Sequence, residues 1–383
     1  MALCALLPLG GCAVSGTFVR PELTTPSIAA TRADSIDIRL LLVGDAGLPR
    51  LDAPEPVFVA LTREASLLPE RTWVVFLGDN VYPDGMPPED DAGRGIAEKR
   101  LQAEIDAVVP TGARIVFVPG NHDWHGHGWQ QLEQERRYIE AQKNPRLMAL
   151  PASGCPGPDI IDASDRVRLV FLDSHWWLAG SDRPSAGTPA CPHATEDEIA
   201  AALRDALGSS GDRRVIVMDH HPLVTHGEHG GAFTWRQHLF PLVDVNRWLW
   251  IPLPVIGSLY PVARMHGIAT QDLSNAKYER MQQAFRTAFA ARPPLLFASG
   301  HEHSLQVLDA PALGLQLVSG AGTVARPDHV RRKDDTLLAT STPGFARLDL
   351  YTDGRARLEI ITVGDDGQTA RPGALWLPRP AKP

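Results

Sequence analysis

Five apolar runs in this chain each empty into a short turn of glycine, aspartate, asparagine or histidine, and that repetition restricts the fold more than any other feature. Ile36 to Val43 leads to Gly44-Asp45-Ala46-Gly47, and Thr72 to Leu77 leads to Gly78-Asp79-Asn80. Ala113 to Val118 leads to Pro119-Gly120-Asn121-His122-Asp123, and Arg214 to Met218 leads to Asp219-His220-His221-Pro222. Pro294 to Ala298 leads to Ser299-Gly300-His301-Glu302-His303. Short apolar runs bounded by such residues have the character of buried strands. Helical spacing fills several of the gaps, over Val57 to Leu68, Ile96 to Val108, Gln130 to Gln142 and Glu196 to Leu207. Strands alternating with helices predict an α/β fold with functional groups at the carboxyl ends of the strands. Leu313 to Val318, and Ala346 to Tyr351 joined to Ala356 to Val363 by Thr352-Asp353-Gly354-Arg355, predict antiparallel strands with a hairpin turn.

One such turn is weak evidence, because an aspartate after a strand is often only a helix cap. A lone histidine is more often packed or solvated than a ligand. Five strand ends presenting Asp45, Asp79, Asn121, His220 and the pair His301/His303 supply more donors than one tetrahedral zinc accepts. Two ions suit the set better, with a bridging carboxylate holding them about 3.5 Å apart as in phosphoryl hydrolysis. The charge balance agrees. A net charge of -8 provides no basic stripe for nucleic acid, so any phosphate must be held locally by ions or a few cations. At 383 residues and 44% hydrophobic content the chain builds a sizeable core.

The ordered set GDAG, GDNVY, GNHD, VMDH and GHEH resembles the calcineurin-like metallophosphoesterase superfamily, and within it the purple acid phosphatases, over roughly residues 38 to 325. GHEHSLQ followed by LVSGAG is also similar to the small tartrate-resistant acid phosphatases. The resemblance implies a four-layer αββα sandwich of two mixed sheets flanked by helices. Most of that superfamily has a ligand histidine two residues after the first aspartate; here that position is Gly47. Purple acid phosphatases share the departure and supply a tyrosinate from the second motif, which Gly78-Asp79-Asn80-Val81-Tyr82 matches. The implied ferric site is Asp45, Tyr82 and His303, with Asp79 bridging to a second ion, Fe, Zn or Mn, held by Asn121, His220 and His301. A hard phenolate favours Fe(III), and imidazoles with an amide suit a divalent ion. A trivalent ion makes hydroxide available as nucleophile at acidic pH. His122 is then expected to assist the leaving group, Asp123 to orient it, and His221 to contact phosphate. The implied activity is hydrolysis of phosphate monoesters. A phosphodiesterase or nucleotidase on the same ions is the neighbouring reading, and a non-catalytic surface-anchored binding protein is the reading of another class, against which the complete ligand set argues. His125, His127, His226 and His229 are expected to be solvated loop residues, and Asp173 and His175 structural.

Leu9-Gly10-Gly11-Cys12 resembles a bacterial lipobox behind an apolar leader, which predicts an exported lipoprotein anchored to the membrane through lipidated Cys12, periplasmic or in the cell envelope. Residues 1–12 then form the signal segment, 13–35 a tether, 36–365 the catalytic domain and 366–383 a tail. In an oxidising compartment Cys155 and Cys191 would pair. An insertion at about 226–285 has no charged residue from Trp248 to Ala263, yet Pro252, Pro254, Gly257 and Pro261 prevent a spanning helix. It is expected to cap the metal site, with membrane contact and packing away from the site as the other readings.

Overall fold

The computed structural model describes residues 13–14, 16–23, 35–152, 154–184, 191–243, 248–323 and 329–377. Cys12 and its lipobox lie outside them. Two mixed sheets face each other. The first runs in the order Thr369–Leu377, Ala356–Val363, Gly344–Tyr351, Ile36–Val43, Thr72–Leu77, Arg114–Val118, Leu147–Ala149. Its last four members are parallel, and Gly344–Tyr351 joins them antiparallel to Ile36–Val43. The second runs Phe18–Val19, Thr336–Thr340, Leu305–Leu308, Leu315–Ser319, Leu296–Ser299, Arg214–Met218, Val167–Phe171, Asp159–Ser164.

Side-chain alternation along each strand builds three apolar layers. Leu40, Leu42, Val75 and Leu77 turn inward and meet Leu169, Phe171, Ile216 and Met218 of the other sheet. Their neighbours Leu41, Val43, Val74 and Phe76 turn outward beneath the helices Pro56–Ser66 and Arg94–Val108. Val170, Val215 and Val217 do the same beneath Glu196–Gly208 and Ala276–Phe289. Both central sheets are thus buried on two faces, which is why their strands read as continuous apolar runs rather than alternating ones. The helix Glu196–Gly208 begins where Thr195 and Glu198 close a reciprocal capping box.

Two expected boundaries are corrected. Thr369–Leu377 is no tail but an edge strand, paired antiparallel with Ala356–Val363, where Ala374 and Leu377 bury their side chains. The stretch expected to be a tether is partly built into the sheets: Phe18–Val19 pairs with Leu338–Ala339, and Ala13–Val14 with Val330–Arg331. Cys155 and Cys191 are joined in a disulfide, their Cα atoms 5.3 Å apart. The insertion holds the short helices Trp235–Leu239 and Leu259–Met265. No helix among the described residues is long and apolar enough to cross a membrane.

Candidate metal centre

Each of the five predicted turns leaves the carboxyl end of a central strand, and the facing sheets bring all five together. The approach is close enough to need glycine. A Cβ on Gly44 would stand 3.0 Å from the Cα of Gly300, and one on Gly300 would stand 2.7 Å from Asp45 Oδ2. Asp45, Asp79 and His301 have φ of 55°, 56° and 71°, a left-handed backbone that L-residues adopt at some cost. The backbone turns these three side chains into the space between the sheet ends.

Tyr82 lies at the centre of one half of the site. Its hydroxyl is 2.9 Å from Asp45 Oδ1, 2.9 Å from Asp79 Oδ2 and 3.3 Å from His303 Nε2. Gly47 leaves the room this requires. A Cβ at Gly47 would meet the carbonyl carbon of Asn80 at 2.3 Å, so the loop that delivers Tyr82 occupies the volume a side chain at position 47 needs. Burial, with the charges of Asp45 and Asp79, pushes the phenol well above its ordinary pKa. Its single proton faces three potential acceptors. That surplus of oxygen and nitrogen lone pairs is the donor chemistry of a cation site.

The other half shows the same surplus. His220 Nδ1 donates to the Leu77 carbonyl at 2.8 Å, which leaves Nε2 facing Asn121 Oδ1 at 3.0 Å. His301 Nε2 donates to the Gln271 carbonyl at 3.2 Å, which leaves Nδ1 facing the same oxygen at 3.0 Å. Burial and the neighbouring imidazoles of His229, His221 and His220 hold His301 well below the usual histidine range, so that nitrogen presents a lone pair. Asp79 stands between the halves: Oδ2 accepts from Tyr82, while Oδ1 lies 3.4 Å from His220 Nε2. Burial works to raise its pKa, yet the electrostatic influence of His220 and His122, with the His122 N–H and the Tyr82 hydroxyl, outweighs it and holds the carboxyl well below its ordinary range. Donor atoms of Asp45, Asp79 and His220 lie within 4.8 Å of one another, and so do those of His220, His221 and His301. The residues fit two cations with Asp79 shared.

Four expectations about the surrounding residues are corrected. Asp123 does not touch the His122 ring. Its carboxylate accepts from the backbone N–H groups of Gly120, Asn80 and Val81 at 2.7, 2.9 and 3.1 Å, and so pins two ligand loops to each other. His122 is oriented instead by its Nδ1 contact with the Pro83 carbonyl at 2.5 Å, and its Nε2 lies 4.0 Å from Asp79 Oδ2. His221 is fully enclosed, with Nδ1 on Ser174 Oγ at 2.7 Å and Nε2 on Gln271 Oε1 at 2.8 Å, so it positions the wall of the site. His226 is buried against Asp335, and His229 is no free loop residue: its ring centroid is 4.1 Å from that of His301. Burial would lower its pKa, but a 3.0 Å bond to Asp272 and the charge of Glu302 raise it. His229, Gln271 and Asp272, which no sequence motif singles out, complete this wall of the site. Asp173 and His175 are buried, the carboxylate taking the Trp124 indole N–H at 3.0 Å.

The model of calcineurin-like phosphoesterases matches residues 38–250, which include Asp45, Asp79, Tyr82, Asn121 and His220. Purple acid phosphatase 4 of Arabidopsis thaliana is 24% identical over 217 residues, covering 55% of this chain and 59% of its own. Purple acid phosphatase 17 of the same plant is 27% identical over 181 residues, covering 45% of this chain and 49% of its own. This chain therefore spans about half the length of these curated relatives. The solved structure of PhoD shares the fold at a TM-score of 0.51 and 11% identity, over 88% of this chain and 68% of that one. With more than half of its length matched and the matched segment carrying most of the convergent donors, the chain belongs to the calcineurin-like phosphoesterase family.

Proposed function

We propose that this protein hydrolyses phosphate monoesters in the manner of a purple acid phosphatase. The observation that carries the reading is the Tyr82 hydroxyl set within 2.9 Å of both Asp45 and Asp79 in a chain with glycine at position 47. Asp45, Tyr82 and His303 would hold Fe(III), Asn121, His220 and His301 a divalent Fe, Zn or Mn, and Asp79 both. Such ions supply Lewis-acid polarisation of the phosphoryl group and acidify water. The protein's own groups supply the rest. His122 donates its Nδ1–H to the Pro83 carbonyl, so the proton for the departing alkoxide would sit on Nε2 of the imidazolium form. His229, kept basic by Asp272 and Glu302, offers a charged donor to a phosphoryl oxygen beside His301. Glycine-tight packing of the sheet ends keeps these groups fixed before substrate arrives.

The test is turnover of p-nitrophenyl phosphate against bis-p-nitrophenyl phosphate at acidic pH by protein carrying its own ions. Faster turnover of the monoester is expected; preference for the diester would favour the phosphodiesterase reading. Export and lipid anchoring at Cys12 belong to the same proposal, supported by the Cys155–Cys191 disulfide, a bond that persists in oxidising compartments. Intact-mass measurement of membrane-extracted protein should find a diacylglyceryl group on Cys12, and an unmodified, soluble chain would overturn the anchor.

A further inference from the structure

Among the described residues, twelve of the eighteen exposed large apolar side chains fall between Trp235 and Ile268. Single exposed apolar residues are ordinary on any surface; a cluster of this size marks a contact with something apolar. Val255 is 86% exposed, Trp248 74%, Leu259 67% and Trp250 51%, with Tyr260 half exposed beside them. The backbone adds an independent sign. Val255 has a φ of 70°, a conformation strongly disfavoured for a β-branched residue, and there it holds its side chain almost wholly in solvent. The roots of this segment are firmly tied: Arg264 pairs with Asp272 and Glu228, while His229 and Gln271 reach His301. A rigid base thus carries an apolar crest.

We infer that this crest inserts into the interfacial layer of a lipid bilayer and holds the metal centre at a membrane surface. Two observations select a bilayer over a second protein surface. The first is side-chain chemistry: tryptophan and tyrosine with aliphatic neighbours and an uncharged run from Trp248 to Ala263 match the headgroup boundary, where an apolar body and a polar tip are both satisfied. Apart from Arg264, which Asp272 and Glu228 neutralise, the sequence from Trp235 to Ile268 carries two arginines against one aspartate, in a chain whose net charge is -8, so this part does not repel an anionic surface. The second is the path of the chain. Ala13–Val14 pairs with Val330–Arg331, and the Arg331 N–H donates to the His226 carbonyl at 2.8 Å, at the root of the same insertion. The apolar sequence that precedes Ala13 therefore joins the fold at the base of the insertion that carries the crest. One membrane surface accounts for both; a second copy of the chain would account only for the crest.

The full chain carrying Cys12→Ser, to remove any acyl anchor, should co-sediment with vesicles of equal parts phosphatidylcholine and phosphatidylglycerol. Adding Trp248→Ser, Trp250→Ser and Leu259→Ser should weaken that binding by about tenfold or more while leaving the melting temperature in place. In the chain with its tryptophans intact, lipids brominated on the acyl chain should quench tryptophan emission, a readout that does not depend on any variant folding. Equal sedimentation of both chains would overturn the inference, and so would an absence of quenching. Dimerisation that the three substitutions abolish, without vesicle binding, would overturn it in favour of a second copy.

Discussion

The phenol of Tyr82 and the carboxylate of Asp45 meet at 2.9 Å across 37 residues of sequence, because the strands that precede them are parallel neighbours with Val43 opposite Phe76. Tyr82→Phe keeps the ring and removes only the donor atom. The intact protein is expected to be purple or pink through a phenolate-to-Fe(III) band, and the variant to lose that band. A colourless intact protein, fully active with two zinc or two manganese ions, would end the ferric assignment.

Asp79→Asn removes the charge and one acceptor oxygen from the centre, and His301→Ala removes an imidazole. Both should lose most activity together with metal, measured by elemental analysis on the same preparations. His122→Ala should retain metal and lose about 10²–10⁴-fold in turnover, the range of a general acid. Metal loss in His122→Ala comparable to that in the other two would refute its assignment.

Asp123→Ala should behave differently from His122→Ala, because Asp123 fastens Gly120, Asn80 and Val81 rather than the His122 ring. Leaving those buried N–H groups without an acceptor costs on the order of 3 kcal/mol. Thermal unfolding should show a marked loss of stability, and metal content should fall with it. An unchanged melting temperature with a selective loss of turnover would restore the orienting role.

Glu135 gives a pH prediction. Burial pushes its carboxyl up to about 8, with the Asn80 amide working against the shift at 3.1 Å. The folded pKa is raised, so the stability gained from the neutral form is fully present below the ordinary value near 4.5 and is lost as the pH rises through about 8. Glu135→Gln keeps the neutral shape at every pH. It should raise the denaturation midpoint at pH values above that window and leave it nearly unchanged well below. Equal effects at both ends would show that Glu135 does not titrate within it.

The sequence disclosed the donors because chemistry and strand punctuation coincide there: a run such as Thr72 to Leu77 must be buried, and the residues after it must be polar. It also disclosed the central strands and their helices, whose periodicities are set by burial on both faces. The edge strand Thr369–Leu377 was hidden because Arg371, Pro372 and Gly373 interrupt its apolar pattern, as an edge that pairs on one side allows. His229, Gln271 and Asp272 were hidden for another reason. They lie in turns without apolar periodicity, and only the closure of the insertion onto His301 makes them neighbours of the site. Asp123 was misread because adjacency in sequence to His122 suggested contact, whereas the short helical turn His122–Trp124 directs the two side chains to opposite tasks.

The contact of Gly44 with Gly300 makes backbone, rather than side chain, the ruler of the centre. Asp45 and His301 each follow one of these glycines, so the distance between the ligands of the two sheets is set by how far apart the sheets lie. That distance is in turn fixed by the volumes of Leu40, Leu42, Ile216 and Met218 in the layer between them. The interior of this protein is therefore a spacer for its metal centre: a methylene added or removed deep in the core would alter the separation of the donors on the two sheets, without any donor having changed.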